Sequence, residues 1–131
     1  MPVPKFQPKV KSTRKKSLQP ESKMQESCFT WFHYQYPQFY NLYFSIPNGG
    51  KRDIRTAVTM KKEGLKEGVL DTFLAIPRHG FHGLFVEFKW GTGRLTQNQI
   101  EFKEAVDKQG YATAVCYTLE EFIILITNYL A

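Results

Sequence analysis

Apolar and polar positions follow two different periods between residues 22 and 131, and they divide this part of the chain into eight segments. Spacing with a period near 3.6 predicts four helices, over residues 22–36, 53–62, 96–109 and 118–130. Alternation with a period of two predicts four strands, over residues 42–46, 69–76, 84–90 and 111–117. Pro37 and Gly110 stand at segment ends, where these residues stop helices. The pattern predicts an α/β domain in the order α-β-α-β-β-α-β-α, with helices flanking a mixed central sheet.

The second and third strands are predicted to form a hairpin that brings acidic residues together. Alternate side chains of a strand share a face, so Glu87 and Lys89 are neighbours. If the hairpin is symmetric about His79, Asp71 lies directly opposite Glu87. If it is symmetric about Gly80, Asp71 lies opposite Lys89, with Glu87 on the diagonal. A shift of one residue would move Asp71 to the other face of the sheet.

Two carboxylates this close repel each other unless a cation lies between them. Mg²⁺ suits such a site because it takes oxygen ligands, keeps several waters and is often held by one or two carboxylates plus a substrate phosphate. Lys89, at the edge of the same site, is placed to orient a water or to neutralise charge on phosphorus. The pattern therefore suggests a divalent-metal nuclease. The alternative is a hairpin with an exposed Glu-Lys pair, which is common on antiparallel sheets.

Several short motifs occur in order along the chain, and together they resemble a known nuclease family. The motifs are Glu26, Asn48-Gly49-Gly50, Gly68-Val69-Leu70-Asp71, Glu87-Phe88-Lys89, Gly93-Arg94-Leu95-Thr96-Gln97-Asn98-Gln99 and Gly110-Tyr111. This order resembles the virus-type replication-repair nuclease (VRR-NUC) domain of the PD-(D/E)xK nuclease superfamily, in its stand-alone phage and bacterial type. The resemblance covers about residues 22 to 130.

The resemblance implies roles for the residues of the hairpin. Asp71 and Glu87 are expected to bind Mg²⁺ or Mn²⁺, the carbonyl of Phe88 to add a ligand, and Lys89 to be the catalytic lysine. Leu70 stands where the motif often has proline, a change that affects the approach of the strand rather than its ligands.

Two further residues have both a functional and an ordinary structural interpretation. Glu26 is similar to the acidic residue of the family's first helix, which adds to the metal site, but it could equally be a solvated acid favoured by the helix dipole. Gln99 is similar to the glutamine after the E-x-K strand, whereas Thr96-x-x-Gln99 is also a capping box.

Composition predicts one folded domain preceded by a basic tail. The chain has 131 residues, of which 42% are apolar, enough for a single core. Residues 1–20 carry six basic residues and no acid, so the net charge of +6 resides there, and this tail is predicted to be disordered and to grip phosphates. A solubilising leader or a vector remnant is the alternative. Residues 21–131 form the predicted nuclease domain, in which a basic patch is expected from Lys51, Arg52, Arg55, Lys61, Lys62 and Arg94.

The two cysteines and the hydropathy pattern bear on location. Cys28 and Cys116 are too few and too far apart for a zinc cluster, and they are predicted to be reduced core thiols of an intracellular protein, in the cytoplasm of a bacterial or phage-infected cell. No apolar run is long enough to span a membrane, and the basic start lacks the apolar stretch of a secretory signal.

The expected activity is structure-selective hydrolysis of DNA phosphodiesters, and the resemblance implies branched DNA such as a four-way junction. A symmetric homodimer would supply two sites for two strands. Nine aromatic residues between positions 29 and 44 are expected to form core, and their excess either a dimer surface or a face that stacks on unpaired bases. The alternatives are a noncatalytic nucleic-acid-binding module and a nuclease subunit of a larger replication or repair assembly.

Overall fold

The computed structural model describes residues 20–47 and 54–131, and the elements in these ranges follow the predicted order. The helices are α1 (Pro20–Gln35), α2 (Ile54–Lys62), α3 (Gln97–Lys108) and α4 (Leu119–Leu130). The strands are β1 (Tyr43–Ser45), β2 (Thr72–Leu74), β3 (Leu84–Phe88) and β4 (Ala112–Cys116), with a 3₁₀ helix at Pro37–Leu42. Residues 1–19 of the predicted tail lie outside the described residues, as do the turn at residues 48–50, the start of the second helix, and Lys51 and Arg52 of the predicted basic patch. Pro20, predicted to belong to the tail, is the first residue of α1.

The four strands form one mixed sheet, as the α/β pattern predicted, and their order in the sheet is β1-β2-β3-β4. β1 and β2 are antiparallel, as are β2 and β3, whereas β3 and β4 are parallel. A parallel pair needs a crossover, and α3 supplies it. In the hairpin Thr72 pairs with Val86 and Leu74 with Leu84, so its centre falls on His79. This register places residue 71 opposite residue 87.

The core lies on one face of this sheet, beneath α1 and α4. Leu84, Val86 and Phe88 of β3 point into it, as the alternation of the strand predicted. The helices contribute Phe32 from α1 and Phe122 from α4, and all five side chains are nearly or fully inaccessible to solvent. Burying Leu84, Val86 and Phe88 in this layer fixes the register of β3, since a slip of one residue would turn all three side chains to the opposite face of the sheet.

All four strands are shorter than the pattern indicated, β4 by one residue at each end. β2 starts at Thr72, not at residue 69, because the N–H of Asp71 bonds to a side chain of the neighbouring strand and leaves the backbone ladder. β1 starts at Tyr43 because the 3₁₀ helix occupies the residues before it. β3 ends at Phe88, not at residue 90, because Trp90 begins a turn in which its carbonyl accepts the N–H of Gly93 at 2.9 Å.

Both cysteines are free and buried, which confirms the prediction of core thiols. Burial raises the pKa of Cys116 to about 12 and that of Cys28 well above its usual value, so both stay protonated. Among the helices in the described ranges, none combines the length and the apolar character needed to cross a bilayer.

Candidate active site

Asp71 and Glu87 face each other across the β2–β3 hairpin, and each holds the backbone of the other's strand. The N–H of Asp71 donates to Glu87 Oε1 at 2.9 Å. In return, the N–H of Phe88 donates to Asp71 Oδ2 at 2.9 Å. Glu87 is only 2% exposed, and Asp71 is partly buried beside it. These reciprocal bonds tie each carboxyl group to the backbone of the opposite side of the hairpin.

The position of the pair disfavours two negative charges. Burial, and then the charge of Asp71, raise the pKa of Glu87 to about 7. Burial also raises the pKa of Asp71, an effect that the hydrogen bond from the N–H of Phe88 partly opposes. Without a bound cation, ionising both carboxyl groups therefore costs free energy. A cation beside them would offset that cost.

Lys89 and Gln99 both reach the remaining oxygen of Glu87. Lys89 Nζ lies 3.5 Å from Glu87 Oε2, with a side chain that is only 13% exposed. Gln99 Nε2 donates to the same oxygen at 2.9 Å. Lys89 lies just beyond the end of β3, and Gln99 lies in the first turn of α3.

Gln99 makes the capping contacts and the contact with Glu87 at the same time, and its role in the active site stays a prediction. Its Oε1 accepts the N–H of Thr96 at 2.9 Å, and Thr96 Oγ1 accepts the N–H of Gln99 at 3.2 Å, so the capping box is complete. The opposite end of the same amide donates to Glu87. The helix cap thus orients the side chain that holds the carboxylate.

Glu26 lies on α1 across an open cavity from this pair. The cavity has a volume of about 610 Å³, and both Glu26 and Asp71 line it. Glu26 itself is exposed. Within residues 20–47 and 54–131, no three His, Cys, Asp or Glu side chains are gathered closely enough to hold a metal. The structure therefore places Glu26 at the mouth of the site without bringing it into the pair, and its role as a ligand stays a prediction.

A comparison with solved structures finds the same architecture in another protein. A chain named "VRR_NUC domain protein" matches with a TM-score of 0.74 and 27% sequence identity, over 88% of this chain and 90% of the other. This likeness supports a VRR-NUC domain in this chain. A VRR-NUC domain implies a nuclease domain, and the mixed sheet flanked by helices is consistent with a PD-(D/E)xK-like fold. No family model and no curated protein matches the sequence.

The donor set of this VRR-NUC domain fits a hard divalent cation. The carboxyl groups of Asp71 and Glu87 lie side by side with raised pKa values, and Asp71 lines an open cavity. Mg²⁺ and Mn²⁺ are commonly held in this way, by one or two carboxylates together with waters and substrate oxygens. The N–H of Phe88 is already used to hold Asp71, and its carbonyl remains the predicted additional ligand.

Sequence reasoning missed two contacts that shape the site. The hydroxyl of Tyr117, at the end of β4, donates to the carbonyl of Gly93 at 2.9 Å and so braces the loop between Lys89 and α3. Gly68 packs so tightly that a Cβ there would lie 2.5 Å from the carbonyl oxygen of Asn98. The glycine in the Gly68–Asp71 motif was a signal for this close approach, whereas nothing near Tyr117 pointed to its partner.

The described members of the predicted basic patch are exposed. Arg55, Lys61 and Lys62 lie on α2, and Arg94 lies in the loop before α3. Lys61 Nζ is 3.4 Å from a carboxylate oxygen of Glu67, a surface pair that neutralises part of the positive charge. A role of this patch in DNA binding stays a prediction.

Proposed function

We propose that this nuclease domain is an endonuclease that uses Mg²⁺ or Mn²⁺ to hydrolyse phosphodiesters in branched DNA such as four-way junctions. The observation that carries the proposal is the Asp71–Glu87 pair, with Lys89 Nζ and Gln99 Nε2 on the same oxygen of Glu87. An acidic pair with raised pKa values, one member of which lines an open cavity, is costly for the fold and is typical of a functional site.

Asp71 and Glu87 would hold the cation, with the Phe88 carbonyl and Glu26 as further ligands. A bound cation of this kind polarises a phosphodiester and lowers the pKa of a bound water. Lys89 would donate to the attacking water or to a phosphate oxygen as negative charge develops on it. Gln99 keeps Glu87 in place through the 2.9 Å bond to Oε2. The oxygen of water bonds to phosphorus, and the bond from phosphorus to one sugar oxygen breaks.

A homodimer would fit a branched substrate because two copies related by a twofold axis carry two sites for two strands. Exposed aromatic and aliphatic side chains support an association of this kind. Tyr34 at the end of α1 is 84% exposed, Tyr40 is 58% exposed, and Ile124 on α4 is 58% exposed. Sedimentation of the chain with and without junction DNA would test this part of the proposal.

The test of the activity is cleavage of end-labelled four-way junction, flap and linear duplex DNA in Mg²⁺, Mn²⁺ or EDTA. We expect metal-dependent cutting that favours the junction and is lost in Lys89→Ala. Lys103→Ala is the matched control, since Lys103 is a lysine on α3 that pairs with Asp107 at 3.1 Å, away from the carboxylate pair. Binding without cutting under every condition would overturn the proposal in favour of a noncatalytic nucleic-acid-binding module.

A further inference from the structure

Trp90 forms one wall of the cavity onto which Asp71 opens. It follows Lys89 directly in the chain, and 49% of its surface is exposed. Within the described residues its indole ring contacts no other aromatic ring, and its indole N–H has no hydrogen bond. A large, half-exposed aromatic ring at the edge of a candidate active site is costly to leave in water, and it offers a flat face to a ligand.

The cavity contains a second aromatic ring whose position is fixed. Phe29 of α1 lines the cavity and stacks on Tyr43, with the ring centroids 4.3 Å apart and an angle of 11° between the ring planes. The volume of about 610 Å³ lies within the range of about 300–1,000 Å³ that is usual for small-molecule sites. The cavity is therefore large enough for a planar group against Trp90, with an apolar ring as part of its lining.

The charge of the cavity indicates what kind of group it takes. Glu21, Glu26 and Asp71 line it, and no lysine or arginine of the described ranges does. Glu21 is not among the proposed metal ligands, so its carboxylate would repel a phosphate at the Trp90 wall and can accept hydrogen bonds from the exocyclic amino groups of bases. The neighbouring side chains of Ser22 and Gln25 add uncharged hydrogen-bonding groups. An uncharged planar ring with N–H groups at its edge is the best match.

We propose that Trp90 is a stacking platform for an unpaired nucleobase that lies next to the phosphate to be cut. The inference rests on the proposed function for the position of that phosphate. In a continuous duplex both faces of each base are covered by its neighbours, so flipping a base out costs unpairing and unstacking, and an unpaired base at a branch, flap or gap enters the cavity at lower cost. Trp90 thereby gives the site a physical basis for preferring branched DNA over linear duplex.

The direct test uses the fluorescence of Trp90 itself. The chain has two tryptophans, so the full-length Trp31→Phe variant reports on Trp90 alone. It is titrated in EDTA, which excludes metal-dependent cutting, with a flap DNA whose unpaired strand carries cytosines, and with the same flap carrying abasic nucleotides. We expect quenching by the first DNA and little by the second. Equal quenching by both, or none while anisotropy shows that the DNA binds, would overturn the inference.

Affinity gives a second readout that separates stacking from general DNA binding. Trp90→Ala should weaken binding of the cytosine flap roughly 5- to 150-fold, the range that corresponds to base–aromatic stacking, and should leave linear duplex binding unchanged. Trp90→Phe should restore most of the loss, which also shows that the position tolerates substitution. An equal loss on flap and duplex would contradict the stacking role.

The two proposals fail in different ways. Base-dependent quenching without cleavage in Mg²⁺ or Mn²⁺ would leave the platform standing and would remove the proposed nuclease activity. Cleavage of branched DNA that Trp90→Ala performs as well as the wild type, with no base-dependent quenching, would remove the platform and would leave the nuclease.

Discussion

Replacing Asp71 with asparagine should stabilise the metal-free protein at alkaline pH while removing its activity. An asparagine at this position can still accept the N–H of Phe88 through its carbonyl oxygen, the bond that Asp71 Oδ2 accepts at 2.9 Å. Its amide group carries no charge and can donate to the carboxylate of Glu87. The substitution therefore removes the repulsion between the two acids and keeps the hydrogen bond between the strands.

The magnitude follows from the pKa of Glu87. Its folded-state pKa of about 7 lies above the ordinary value of 4.5, so the native state binds more protons than the unfolded state between these values. Stability is therefore full below about pH 4.5 and falls as the pH rises through 7. At about 1.36 kcal/mol per pH unit, the fully ionised state loses about 3 kcal/mol. Burial is the larger cause and Asp71 the second, so Asp71→Asn should recover about 1–2 kcal/mol of this at pH 8.5.

The assay is urea unfolding of wild type and variant in EDTA at pH 5 and pH 8.5. We expect the difference in free energy of unfolding between the two proteins to be small at pH 5 and to favour Asp71→Asn at pH 8.5. Every other ionisable group is common to the two proteins, so its contribution largely cancels in this difference. Glu104→Gln, which removes an exposed acid on α3, is the matched control and should change stability by less than about 0.5 kcal/mol at both pH values.

Adding Mg²⁺ or Mn²⁺ at pH 8.5 extends the same experiment. The wild type should gain stability with metal concentration, because a ligand that binds only the native state stabilises it, and Asp71→Asn should gain much less. The reasoning is refuted if Asp71→Asn lowers stability equally at both pH values. In that case Asp71 would be a simple hydrogen-bond acceptor, and the pair would not be strained.

Three other substitutions test separate parts of the site. Lys89→Ala should lower the single-turnover cleavage rate by roughly 10²- to 10³-fold, as the loss of one stabilising donor does, and unchanged cleavage would exclude Lys89 from the chemistry. Gln99→Ala removes both a cap contact and the 2.9 Å bond to Glu87, so it should lower the free energy of unfolding by about 1–3 kcal/mol and also slow cleavage. A loss of stability with unchanged cleavage would assign Gln99 to the helix cap only. Gly68→Ala should unfold at a lower urea concentration than Gly64→Ala. Both glycines have positive φ (90° and 109°), but of the two only Gly68 has neighbouring backbone within 4 Å of the added Cβ. Equal urea midpoints of unfolding for the two variants would contradict the close packing at Gly68.

Local pattern was sufficient to predict the elements and the face on which the acids lie. The strand alternation placed Leu84, Val86 and Phe88 in the core, and the Gly- and Pro-rich loop predicted the hairpin. Two registers remained open from sequence, and the structure has the one centred on His79. Both His79 and Gly80 have positive φ there, 54° and 85°, a backbone geometry that sequence spacing alone does not specify.

The features of the site that sequence could not predict depend on two kinds of contact. In one, a side chain takes the place of a backbone hydrogen-bond partner; in the other, side chains far apart in the sequence meet in the fold. Glu87 accepts the N–H of Asp71 and so shortens β2, which a strand pattern does not reveal. Gln99 serves the cap and the carboxylate together, because its amide has two ends. The position of Glu26 in the lining of the cavity depends on how α1 packs on the sheet, and helical periodicity carries no information on that packing.

The central claim is that the Asp71–Glu87 pair supports metal-dependent cutting of DNA. The most direct measurement is single-turnover cleavage of a labelled four-way junction by the wild type and by Asp71→Asn, in Mg²⁺, Mn²⁺ and EDTA. We predict cleavage by the wild type in metal only, and none by a folded Asp71→Asn that still binds the junction. Cleavage by Asp71→Asn at the wild-type rate, or wild-type cleavage that persists in EDTA, would contradict the account.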